Sequence, residues 1–268
     1  MKPFEQRLSQ RIAAVGSHLC IGLDPRPELI KQDVEPFLKQ VIDETKNMAA
    51  AFKPNIAYFE ALGSPGYKLL EELLAYTPDS IPVILDVKRC DIPETQRYYA
   101  KAYFENWDVD AITLNPFLGF DTVEPFLTYP GKGVYLLGRT SNKGASDFLT
   151  KKIEGKQVLE MIQTFVFQAH EYPTTIGMVM GLINLAEDID PSLQRIPLLL
   201  PGFGAQGGAL DPLKKTARHM APFLINVSRG ILYEEPDKTF EQKAVEYSRK
   251  IEGTLDRTPS SSGRGNKL

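Results

Sequence analysis

Cysteine is nearly missing from this chain: among 268 residues there are only Cys20 and Cys90. Two thiols can build neither a disulfide framework nor a cysteine-rich zinc site, so a reducing cytoplasm is the expected compartment. The three histidines, His18, His170 and His219, stand far apart in the sequence and lack metal-ligand spacing. They read as surface or packing residues, and no metal is expected. Long apolar runs are missing too, which argues against a membrane span. Residues Met1 to Arg11 alternate in charge without an apolar stretch, unlike a signal peptide. Positive charge is not in excess, since the formal net charge is -3, so a nucleic-acid partner is not expected. No GxGxxG turn follows the first apolar run, which weighs against a dinucleotide-binding open sheet.

The composition is 43% hydrophobic and 24% charged, enough for a large core in a soluble molecule. Eight short aliphatic runs recur: Leu19–Pro25, Ala50–Ala57, Pro82–Arg89, Ala111–Phe117, Gly133–Thr140, Thr175–Leu182, Pro197–Gly204 and Phe223–Ile231. They are nearly continuous rather than alternating, as parallel strands covered on both faces are. Helical patterning fills the gaps. Gln96–Asn106 sets Tyr99, Ala102 and Tyr103 on one face, and Val158–His170 does the same with Met161, Ile162, Phe165 and Val166. About eight strand–helix units in this length predict an α/β fold, a single-domain (β/α)8 TIM barrel. The expected domain is 1–256. Residues 257–268 lose apolar periodicity and read as a flexible tail.

Active sites of such barrels lie at the C-terminal ends of the strands. Here those ends are polar. Asp86 and Lys88 are two apart and so share a strand face, while Asp91 follows where a loop should begin. Lys53 can add a second ammonium from the preceding strand. Carboxylates beside an ammonium keep it protonated, which suits a proton donor and not a Schiff-base nucleophile. Ion pairing at a barrel rim without chemistry is the competing interpretation. Pro201-Gly202-Phe203-Gly204-Ala205-Gln206-Gly207-Gly208 and Ser228-Arg229-Gly230 follow the last two strands, where barrels often bind phosphate. Tyr98, Tyr99, Tyr103 and Phe104 read as core or dimer surface, Trp107 as packing below the fourth strand, and Lys151-Lys152 as a solvated face.

The string Asp86-x-Lys88-x-x-Asp91-Ile92, with Lys53 and Asp24, resembles the active site of orotidine 5′-phosphate decarboxylases. The resemblance runs from Cys20-Ile21-Gly22-Leu23-Asp24-Pro25 to Ser228-Arg229-Gly230. Phe4-Glu5-Gln6-Arg7-Leu8 and Gly138-Arg139-Thr140-Ser141-Asn142 are similar to the longer bacterial branch. The resemblance implies decarboxylation of orotidine 5′-phosphate to UMP, the last step of pyrimidine nucleotide synthesis, without a cofactor. It implies that Lys88 protonates C6, that Asp86 holds it, and that Lys53 and Asp24 link the cluster to the ribose. It also implies a homodimer in which Asp91, Ile92 and Thr95 reach the partner's site. Ser141 would contact the pyrimidine, and Gln206 with Arg229 the phosphate. One departure stands out: where the family often has R-G-D-I-G, this chain has Cys90 and Pro93 in place of the glycines. Magnesium-dependent sugar-phosphate decarboxylases and synthases share the D-x-K-x-x-D string, but without the second-strand lysine. The remaining alternative is a phosphate-binding barrel that has lost catalysis.

Overall fold

The computed structural model describes residues 2–184, 191–204, 209–214, 217 and 220–255. Eight parallel strands form its centre: β1 (Leu19–Leu23), β2 (Ala51–Pro54), β3 (Ile84–Arg89), β4 (Ala111–Leu114), β5 (Gly133–Arg139), β6 (Thr175–Met180), β7 (Leu198–Pro201) and β8 (Phe223–Val227). Their order is β2-β1-β8-β7-β6-β5-β4-β3. Parallel bridges Phe52↔Val83 and Asn55↔Asp86 join the two ends, and Phe52 N donates to Pro82 O at 3.0 Å. The sheet is therefore a (β/α)8 barrel, as expected.

Strand alternation sorts the side chains into two layers. Leu19, Ile21, Phe52, Leu85, Val87, Ile112, Val134 and Leu136 face the surrounding helices. Cys20, Ala51, Ile84, Ala111, Tyr135, Val179, Leu199 and Leu224 fill the interior. The floor is closed by the helix Phe4–Val15, whose Phe4 and Leu8 are fully buried against this inner layer. Phe4 meets Tyr135 edge-on with 6.1 Å between centroids. Gly133 makes this possible, because a Cβ there would stand 2.6 Å from the Phe4 ring. The helix stops at Gly16, whose φ of 60° is easy only for glycine.

The apolar runs overestimate strand length at their C-terminal ends. Ala50–Ala57 contains only the strand Ala51–Pro54, because the Asn55 side chain accepts from Ala57 N and starts the helix Ile56–Glu60. Phe223–Ile231 ends as a strand at Val227 and turns helical at Arg229. The helix expected over Gln96–Asn106 begins earlier, with Pro93 in its first turn, and its last turn is a π-helix at Ala102–Asn106. Val158–Gln168 is helical, with Met161 mostly outside the core. Tyr103 and Phe104 are buried, whereas Tyr98 is exposed. Trp107 packs beside Tyr67 and Tyr103 and donates to Glu71. Lys151 and Lys152 are exposed. His18 stacks on Phe223 and bonds Glu252; His170 is exposed, and His219 lies outside the described residues. Among the described residues no helix is long and apolar enough to cross a membrane.

Candidate active site

The mouth of β3 concentrates charge. Asp86 points into the barrel and is 8% exposed. Its Oδ2 accepts from Lys53 Nζ at 2.9 Å, and its Oδ1 accepts from Lys88 Nζ at 2.5 Å and from Thr113 Oγ1 at 2.8 Å. Lys53 is buried like Asp86, while the Lys88 side chain remains 45% exposed. One ammonium thus anchors the carboxylate from below and the other stands at the open side. Strand alternation puts Lys88 on the same face as Asp86, but the ladder there is irregular. The β3–β4 register shifts between Leu85 and Arg89, and Lys88 takes a φ of 45°. A bulge thus interrupts the ladder at the residue that carries the outer ammonium.

The charges stabilise one another. Burial works against the Lys53 ammonium, but the carboxylates of Asp86 and Asp24 outweigh it and hold Lys53 above the usual lysine range. Burial alone would raise Asp86; Lys53 and Lys88 instead pull it well below the usual carboxylate range. Both groups are therefore ionised at neutral pH. Cys20 lies one layer down, and its burial pushes the thiol up to about 12, which leaves it unreactive. A cavity of about 340 Å³ opens above the cluster. Its lining combines the charged and polar Lys53, Asp86, Lys88, Thr113, Thr140, Ser141 and Asn142 with the aliphatic Leu137, Val179 and Leu199. Charged groups and aliphatic surface in one cavity suit a small heterocycle with a polar reacting atom.

A second cavity, of about 210 Å³, lies at the mouths of β1 and β8 and shares Pro201 with the first. Asp24, Arg26, Tyr58, Asn226, Ser228 and Arg229 line it. Three shielded oxygens here, Asp24 Oδ1, Asn226 Oδ1 and Ser228 Oγ, find no partner among the described residues. They are ready to take donors such as sugar hydroxyls. Gly22 leaves them room, since a Cβ there would lie 2.6 Å from Ser228 Cβ. The wall is braced by Tyr233, whose hydroxyl donates to Asp24 O at 2.8 Å and accepts from Arg26 N at 2.7 Å. Two guanidinium groups, one exposed, make this end suitable for an anion.

Of the residues singled out from sequence, Lys53, Asp86, Lys88 and Ser141 meet at the first cavity, and Asp24 and Arg229 at the second. Asp91, Ile92 and Thr95 line neither cavity of this chain. Asp91 lies past the end of β3 and its Oδ1 accepts from Ile92 N, while Ile92 is 58% exposed. Gln206 lies outside the described residues. Sequence reasoning missed Thr113, Arg26, Tyr58 and Asn226. Arg26 follows the run Leu19–Pro25 directly and Asn226 lies inside the run Phe223–Ile231, so closeness in sequence to Asp24 and Ser228 was the available signal. Among the described residues no group of three or more His, Cys, Asp or Glu is placed to hold a metal ion.

Fold and site together define a (β/α)8 barrel with a lysine–carboxylate cluster beside an anion-suited cavity at its C-terminal rim. The chain belongs to the orotidine 5′-phosphate decarboxylase / HUMPS family, whose model matches residues 17–244. The orotidine 5′-phosphate decarboxylase of Cupriavidus metallidurans is 35% identical over 268 residues, covering 95% of this chain and 98% of that one. The enzyme of the same name from Herpetosiphon aurantiacus is 37% identical over 251 residues, covering 90% and 93%. Among solved structures, Leishmania donovani OMP decarboxylase matches with a TM-score of 0.80 at 30% identity, covering 96% of this chain and all 100% of that one.

Proposed function

We propose that this chain decarboxylates orotidine 5′-monophosphate to UMP, with Lys88 as the proton donor to C6. The observation that carries the reading is the Lys53–Asp86–Lys88 network: a buried carboxylate between two ammonium groups, the outer one half exposed at the wall of a heterocycle-sized cavity. The C6–carboxylate bond breaks, its electron pair stays on C6, and CO2 leaves. No adjacent carbonyl delocalises that pair, so a fixed positive charge at C6 is what lowers the barrier. Lys88 Nζ then gives its proton to C6 and regains one from water. Asp86 holds the ammonium in place through its 2.5 Å hydrogen bond.

In this reading Ser141 contacts the pyrimidine, Lys53 and Asp24 face the ribose, and Arg229 with Gln206 holds the phosphate. The unpartnered oxygens of the second cavity support a hydroxyl-bearing ligand there. No cofactor takes part. The protein acts as a cytoplasmic homodimer, residues 1–256 forming one domain; the tail expected over 257–268 lies outside the described residues. The exposed Ile92, with Asp91 and Thr95 beside it and all three outside these two cavities of their own chain, supports donation of Asp91, Ile92 and Thr95 to the partner's site.

The test is turnover of orotidine 5′-monophosphate in EDTA, followed by absorbance. Undiminished conversion to UMP is expected; turnover abolished by the chelator would favour a magnesium-dependent relative, and none at all would leave a binding protein. For the shared site, Lys88→Ala and Asp91→Ala homodimers should each be poorly active. Exchange into heterodimers rebuilds one intact site, so activity should rise with heterodimer content. Heterodimers without regained activity would confine Asp91 to its own chain.

A further inference from the structure

We infer that Thr113 is a positioning residue for the lysine–carboxylate cluster, an inference that rests on Lys88 being the proton donor. β3 and β4 pair at Leu85↔Ile112 and next at Arg89↔Leu114. Three residues of β3, Asp86, Val87 and Lys88, therefore stand opposite the single residue Thr113. Such a bulge removes ladder partners from the longer strand. It also leaves Lys88 at a φ of 45°, a conformation that a Cβ disfavours and that persists only where surroundings impose it.

Thr113 ties both ends of that bulge. Its hydroxyl donates to Asp86 Oδ1 at 2.8 Å and accepts from Lys88 N at 2.9 Å. A hydroxyl has one proton and two lone pairs, so it can make both bonds at once. Thr113 is 1% exposed, and Asp86 Oδ1 is also the oxygen that holds Lys88 Nζ. One side chain thereby sets the backbone from which Lys88 projects and the carboxylate to which its ammonium is tethered. Thr113 reaches the reacting atoms only through those two residues. A hydrophobic residue of the same shape at 113 would keep the packing and lose both bonds.

Thr113→Val tests this in two arms. In the first, kcat for orotidine 5′-monophosphate should fall roughly 10- to 100-fold, because a misplaced reacting group of about 1 Å is worth effects of that order. KM should change little, since Thr113 is remote from the phosphate end. Thr113→Ser, which keeps the hydroxyl, should return kcat to within about threefold of wild type, retaining a bond whose net worth is about 1 kcal/mol. The second arm uses substrate-free protein. Amide hydrogen exchange at Lys88 should accelerate in Thr113→Val and stay slow in Thr113→Ser. Wild-type kcat and wild-type exchange in the valine variant would overturn the inference, as would a serine variant no better than valine. Should the valine variant not fold, Thr113→Ala carries the same readouts against serine. If the unmutated protein fails to turn over the substrate, the functional reading falls, and the exchange arm alone decides whether Thr113 fixes Lys88.

Discussion

At the mouth of β3 both carboxylate oxygens of Asp86 already hold donors, whereas at the mouths of β1 and β8 Asp24 Oδ1, Asn226 Oδ1 and Ser228 Oγ hold none from the described residues. The first region is assembled before a ligand arrives. Its charges are fixed by Lys53, and by Thr113, which holds both Asp86 and the bulged backbone of Lys88. The second is a set of shielded acceptors and an exposed guanidinium, Arg229, whose partners would come with a ligand. The contrast assigns the regions different work. Preorganised charge lowers a barrier without reorganisation during the reaction. Unfilled acceptors and cations supply binding energy remote from the reacting atom, which can be used to order the site.

The sharpest way to break this comparison is Lys88→Ala. A positioned general acid alone is worth ~10²–10⁴-fold, and Lys88 also supplies charge, so kcat should fall by at least that much while the fold is kept. A variant retaining more than about a tenth of wild-type kcat would fall far below that range and remove Lys88 from the chemistry. Asp86→Ala should act on the fold as well. It leaves Lys53 buried without its nearest counter-charge, a change that costs roughly 3–5 kcal/mol by denaturant titration. A loss under about 1 kcal/mol would place Asp86 in the class of weakly coupled surface pairs.

Acid should spare the cluster longer than ordinary carboxylates. Asp86 is depressed, so its stabilisation is fully present above the unfolded carboxylate pKa of about 3.9 and is lost as pH falls through the lower folded value. Lys53 is raised, so its share is present below about 10.4 and is lost as pH rises through the higher folded value. On the acid side, the stability gap between wild type and Asp86→Asn should therefore stay constant from neutral pH down to about pH 5 and close only below that. A gap that closes near pH 6 would contradict the depressed Asp86. The smallest effect belongs to the other region. Asn226→Ala should change ligand-free stability by less than about 0.5 kcal/mol, because no satisfied bond at Oδ1 is lost, while weakening substrate binding. A large ligand-free loss would mean that Asn226 is structural.

Much of this was legible in the residues alone. Near-continuous aliphatic runs gave the parallel barrel, and the spacing of Asp86 and Lys88, with Lys53 one strand away, gave the cluster. Thr113 was not legible, because its role depends on a register shift that no local pattern announces. Strand ends were also blurred: Asn55 and Arg229 lie inside apolar runs but begin helices. Asp91, Ile92 and Thr95 line neither of these two cavities of their own chain, and only the proposed shared site would give them a part.

The division of labour between the two regions is tested most directly by one crossed comparison: kcat/KM of wild type, Lys88→Ala and Arg229→Ala on orotidine 5′-monophosphate and on orotidine, which lacks the phosphate. Arg229→Ala should cost ~10- to ~150-fold on the phosphorylated substrate, as loss of a hydrogen bond between charged groups does, and far less on orotidine. Lys88→Ala should be equally damaging on both. If the two variants lose the same factor on both substrates, the regions do not divide the work and the account is wrong.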